Sequence, residues 1–164
     1  MHVSKAAPRA LIVIVLLTLA SCGWRLQGTA RLPELLATAY VDTKDPYTDF
    51  NRALRESLTA SGAKVVDDRS LATAIVKIRS EDSGQRVLSV SARNTPEEYQ
   101  VYYTVQYSVE GGGRELIAPD TIAMTRDYSY NETAVLAKQR EESILREALA
   151  RDLAGMVVRR LAAL

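Results

Sequence analysis

The chain has 164 residues, 47% of them hydrophobic, with 21 basic and 20 acidic side chains. That size suits one domain with a real core, and the charge balance lacks the basic field of a nucleic-acid binder. Its one histidine and one cysteine are His2 and Cys22, so the chain beyond Cys22 has no Ser-His-Asp triad, no Cys-His pair, no Cys/His zinc site and no internal disulfide, while chemistry by carboxylates or lysine, or an all-oxygen metal site, stays open.

At the amino terminus Lys5 and Arg9 precede an apolar run from Ala10 to Leu17, followed by Leu19-Ala20-Ser21-Cys22. That is the order of a secretory signal, and the run of about ten residues is well short of the ~20 a membrane-crossing helix needs. Small residues between a leucine and a cysteine resemble the lipobox of bacterial lipoproteins. Residues 1–21 therefore read as a signal peptide and Cys22 as the lipidated first residue; the competing reading is an ordinary signal followed by an incidental cysteine. Several acyl chains anchor a protein stably where one does not. In lipoprotein sorting an aspartate after the cysteine means inner-membrane retention, and Gly23 points instead to the periplasmic side of the outer membrane. Losing the signal removes His2, Lys5 and Arg9, leaving 143 of the 164 residues, with 19 of the 21 basic side chains against 20 acidic ones.

Residues 22–35, with Gly, Arg, Gln and Pro33, read as a tether from the lipid into a domain over 36–164. Residues 38–43 suit a first strand. Asp45-Pro46 is a helix opening, since a carboxylate caps free amides and proline needs no donor at the first helical position. Phe50, Leu54 and Leu58 then recur at four-residue steps until Ser61-Gly62, which predicts a helix over 46–61.

From Ala63 the period becomes two. Val65-Val66 is a short apolar run that leaves room for an extra strand. Residues 74–79 alternate Val76 and Ile78 with Lys77 and Arg79, and residues 86–92 are expected to pair with them across a loop at Ser83-Gly84. The clearest strand is 99–109, with Tyr99, Val101, Tyr103, Val105, Tyr107 and Val109 on one face and Gln100, Tyr102, Thr104, Gln106 and Ser108 on the other. The three odd-numbered tyrosines read as core, with a ligand platform as the competing reading. Gly111-Gly112-Gly113 lacks the Lys-Ser/Thr of a phosphate loop and reads as a turn. Residues 114–130 predict a long strand with a bulge or bend at Pro119-Asp120. Residues 134–163 predict a helix with Leu145, Leu149, Leu153, Met156 and Val157 on one face.

The order β-α-β-β-β-α, with two single-striped helices and a one-faced sheet, predicts an α+β two-layer sandwich. Its sheet is expected to be four-stranded and mostly antiparallel, with both helices packed on one face. The other face, with its Tyr, Gln and Thr, suits either a partner or water.

With its lipobox, the opening Cys22-Gly23-Trp24-Arg25-Leu26, and the stretches Ala92-Arg93-Asn94 to Glu98-Tyr99-Gln100 and Leu136-Ala137-Lys138, the chain resembles the LPS-assembly lipoprotein LptE family, also called rare lipoprotein B. The resemblance covers essentially the whole mature chain. It implies a non-enzymatic outer-membrane lipoprotein with no cofactor, one that plugs the LptD β-barrel, assists its assembly and binds lipopolysaccharide in transit to the cell surface. By position it implies ligand contacts from Arg93, beside Asn94 in a hairpin loop, and Lys138, at the start of the last helix. Guanidinium and ammonium groups both suit phosphates. Arg93 also suits a merely solubilising hairpin, and Arg140 could share the role of Lys138. Trp24 could meet the membrane interface, a partner or the domain. Gln27 departs from the pattern, standing where the family often has a basic residue. The other reading kept open is a different envelope-assembly lipoprotein, such as a secretion pilotin.

Overall fold

The computed structural model describes residues 31–129 and the backbone from 135 to 164, with side chains described again from residue 139. In chain order these form β1 (Thr38–Asp42), α1 (Asp49–Ala60), β2 (Lys64–Val66), β3 (Ala74–Val90), β4 (Pro96–Gly111), β5 (Arg114–Ser129) and α2 (Val135–Leu161). Cys22, Trp24 and Gln27, like the whole signal and lipobox, lie outside the described residues.

The architecture is α+β: one five-stranded sheet in the order β2-β1-β3-β4-β5 with two helices on one face. The short apolar run at Val65 and Val66 is a fifth strand. It lies parallel to β1, as does β3, whereas β3, β4 and β5 run antiparallel. The parallel half follows from α1, which carries the chain back across the sheet before β2 begins, as a crossover must.

The alternation in β4 is realised. Val101, Val105 and Val109 are fully buried and Tyr99, Tyr103 and Tyr107 nearly so, in one core with Ala39 and Val41 of β1, Val76 of β3, Phe50, Leu54 and Leu58 of α1, and Leu149, Leu153, Val157 and Leu161 of α2. Met156, expected on the buried stripe, is 39% exposed. The inward face includes Ala150, Ala154 and Val158 beside Leu149, Leu153 and Val157.

Three further expectations are corrected. Helix α1 starts at Asp49, because Thr48 is its cap and accepts from the Asn51 amide at 3.1 Å. Asp45 instead turns the chain ahead of the helix, its carboxylate accepting from the Tyr47 amide at 2.9 Å. Ser83-Gly84 is no loop: β3 continues through it, with Ser83 opposite Tyr103 and Gly84 opposite Tyr102. A Cβ on Gly84 would meet the Tyr102 hydroxyl at 3.0 Å, so the glycine admits a neighbouring ring rather than turning the chain. The register of β3 and β4 slips by one residue at Arg79, at Leu88 and, on the β4 side, at Glu97. On β5 the expected irregularity is present as a bulge between Ile117 and Asp120 within one strand.

Polar contacts lock the layers. Arg146 of α2 reaches Asp49 of α1 at 3.2 Å, Arg126 of β5 reaches Asp152 of α2 at 2.7 Å, and Arg160 of α2 pairs with Asp120 at the β5 bulge. Glu81 projects from β3 on the helix side and accepts from the Tyr103 hydroxyl at 2.8 Å and the Thr48 hydroxyl at 3.0 Å. Burial, with the nearby Asp45 and Asp49 charges, raises the Glu81 carboxyl above its ordinary value against the pull of those two donors.

Candidate functional site

The long strands give the domain two distinct ends. At one, the chain enters through Pro33, Leu35 and Leu36, which line a shallow pocket with Arg114, Leu116 and the terminal Leu164, and Leu35 touches the space beside Gly112 of the β4–β5 turn. At the other end lie the β3–β4 hairpin, the last residues of β5 and the start of α2. Strand β4 has 16 residues, so at about 3.4 Å per residue the ends lie roughly 50 Å apart.

The far hairpin loop, residues 91–95, is fixed by Ser91. Its carbonyl accepts from the Asn94 amide at 2.9 Å and its amide donates to the Thr95 carbonyl at 2.8 Å, while its hydroxyl accepts from the Arg93 and Thr95 amides at 3.3 and 3.2 Å. Asn94 takes the left-handed conformation at φ 60°, which asparagine tolerates better than most residues. The loop backbone is thus set while the Arg93 side chain is exposed, and among the described residues it makes no ion pair.

The second residue implied by the resemblance, Lys138, sits in the first turn of α2, where backbone is described and its side chain is not. Placement of α2 is nonetheless informative: Glu141 and Glu142 act on the Tyr128 hydroxyl, and Tyr128 pairs with Tyr99 near the end of β5. Arg93 and the backbone of Lys138 therefore share the end of the domain remote from where the chain enters.

Along the central strands of the exposed sheet face, cations are engaged by neighbouring side chains. Lys77 pairs with Glu110, Arg79 donates to Ser108 at 3.2 Å, and Arg86 donates to Gln100 at 2.9 Å, which itself donates to Asp127 at 2.7 Å. This ladder holds the Glu110 carboxyl below its usual range through Lys77. No group of three or more metal-ligating side chains occurs among the described residues, and no described helix is long and apolar enough to cross a membrane.

Sequence reading missed two features. The Glu81–Tyr103–Thr48 network joins residues 33 and 22 positions apart, and no local pattern could announce it. The second is a trio of exposed aliphatic residues on the far hairpin, Val87, Leu88 and Val90; their apolar run was visible, but its exposure was not.

The described residues form a two-layer α+β sandwich with one well-packed core and long projecting strands. A family profile described as lipopolysaccharide-assembly, LptE, matches residues 36–161, and the chain belongs to that family. It is 32% identical over 149 residues to the LPS-assembly lipoprotein LptE of Pectobacterium atrosepticum, covering 90% of this chain and 80% of that one. Among solved structures, lipoprotein B of Nitrosomonas europaea superposes with a TM-score of 0.70 at 25% identity, over 84% of this chain and 88% of that one. The rare lipoprotein B of Shewanella oneidensis gives 0.67 at 25% identity, over 77% and 94%.

Proposed function

We propose that this protein is an outer-membrane lipoprotein, anchored through Cys22, that plugs the LptD β-barrel, assists its assembly and binds lipopolysaccharide through Arg93 and Lys138. The observation that carries the reading is the separation of the two ends. The point where the described chain begins, around Leu32 and Pro33, and the Arg93 hairpin are at opposite ends of a sheet roughly 50 Å long, comparable to the ~40–45 Å of a bilayer with its headgroups. A plug held at one leaflet by its lipid thereby presents its basic tip near the other.

The surface agrees with such a role. A barrel lumen is mostly polar, and the open sheet face, with Tyr102, Thr104 and Gln106 half-buried among ion pairs, can exchange water for hydrogen bonds without exposing apolar core. Copurification tests the reading: detergent extracts should yield the chain and LptD in equal amounts. Recovery of the free lipoprotein alone from membranes containing the barrel overturns it, and a secretion defect with normal surface lipopolysaccharide after depletion would favour a pilotin instead.

A further inference from the structure

The β3–β4 hairpin carries an apolar surface that the phosphate-binding reading leaves unused. Strand β1 pairs with β3 only as far as Lys77, so from there to Val90 the outer edge of β3 has no neighbouring strand among the described residues. On that stretch Val87, Leu88 and Val90 are 47%, 44% and 51% exposed. Open edges in soluble proteins are normally blunted with lysine, proline or inward charge, and Val87-Leu88-Ser89-Val90 carries none of these. Val87 lies opposite Tyr99, and Tyr99 opposite Tyr128, whose rings stack at 5.7 Å, so the apolar surface has a rigid backing.

We propose that Val87, Leu88 and Val90 form a ledge for an acyl chain, so that the hairpin grips a phosphorylated lipid by its tail while Arg93 holds its head. Three features select this occupant. The register slip at Leu88 breaks the ladder an added protein strand would need, whereas a flexible hydrocarbon chain needs no register. The exposed Arg93 guanidinium lies three residues beyond Val90, so apolar and cationic surfaces adjoin in the order of an anionic amphiphile. On the returning strand Glu97 is exposed and Glu98 accepts from Ser89 at 2.8 Å; these carboxylates repel an anionic head from β4 and leave the loop at Arg93 for it.

The inference rests on the lipopolysaccharide reading above, and the test separates the two. The full chain in phosphatidylcholine nanodiscs is titrated with purified rough lipopolysaccharide and with the same material stripped of its acyl chains, as wild type, as Val87→Ser/Leu88→Ser/Val90→Ser, and as Arg93→Asp. Thermal melting checks that each variant folds, and Leu88→Ser alone replaces the triple variant if that one does not. The ledge predicts that the serine variant weakens binding of the acylated ligand about tenfold and leaves the deacylated ligand unchanged, whereas Arg93→Asp weakens both. Unchanged affinity of the serine variant for the acylated ligand overturns the ledge while the Arg93 site stands. Failure of the wild type to bind either ligand overturns both. A serine-variant defect confined to barrel copurification or to self-association assigns the surface to protein contact and also overturns the ledge.

Discussion

The hydroxyl of Tyr103 on β4 donates to the Glu81 carboxylate on β3 at 2.8 Å and accepts from the Phe50 amide of α1 at 3.3 Å. One oxygen thus ties the sheet to the first turn of a helix. Removing it with Tyr103→Phe leaves Phe50 without that acceptor and a half-buried carboxylate with one donor fewer. A loss of about 1–3 kcal/mol in unfolding free energy is expected, measured by urea denaturation; a change within error would show that water replaces the hydroxyl at no cost.

Glu81 also sets a pH dependence. Its carboxyl is raised above the ordinary 4.5, first by burial, against the hydrogen bonds from Tyr103 and Thr48. Below 4.5 folded and unfolded chains are both protonated at this residue; as pH climbs, the unfolded chain ionises first, so the folded state loses stability until its own carboxyl ionises. Stability of the wild type relative to Glu81→Gln should therefore fall over that window and then level off, in urea melts taken from acid to neutral pH. A difference that stays flat with pH contradicts the assignment.

The inward face of α2 is tested by a pair of truncations. Leu153 is fully buried and Met156 is 39% exposed. Leu153→Ala should cost about 2–5 kcal/mol and Met156→Ala less than about 1 kcal/mol, compared by thermal or urea unfolding. Equal costs would mean that the helix is rotated from the face described.

Reversing charge at the far end probes ligand binding. Arg93→Asp combined with Lys138→Asp should weaken lipopolysaccharide binding about tenfold or more with an unchanged melting temperature, since Arg93 is exposed and its loop is held by Ser91. Unaltered affinity removes the proposed contacts and leaves the plug reading in place.

Anchoring has its own test. Cys22→Ser should abolish acylation and move the chain from the membrane to the soluble fraction, with the mass of the mature amino terminus as the readout. A wild-type mature chain that begins elsewhere, with its thiol unmodified, would overturn the lipid anchor.

Local pattern was enough to settle a good deal of this protein. Period-two alternation fixed which face of β4 is buried, since a strand with one apolar row has a single way to hide it, and Phe50, Leu54 and Leu58 placed α1 on that face for the same reason. The single His2 and Cys22 removed whole classes of chemistry before any coordinates. Short-range cues misled where a distant partner decides: Gly84 is a turn residue by composition but lies inside β3 because Tyr102 passes over it, and Asp45 lost the helix cap to Thr48, whose hydroxyl is also drawn to Glu81. Tertiary structure alone decided that Val87, Leu88 and Val90 stay uncovered and that Arg93 and the start of α2 share one end. Exposure and proximity depend on where β1 stops pairing and which way α2 returns, and those follow from packing between segments far apart in the chain.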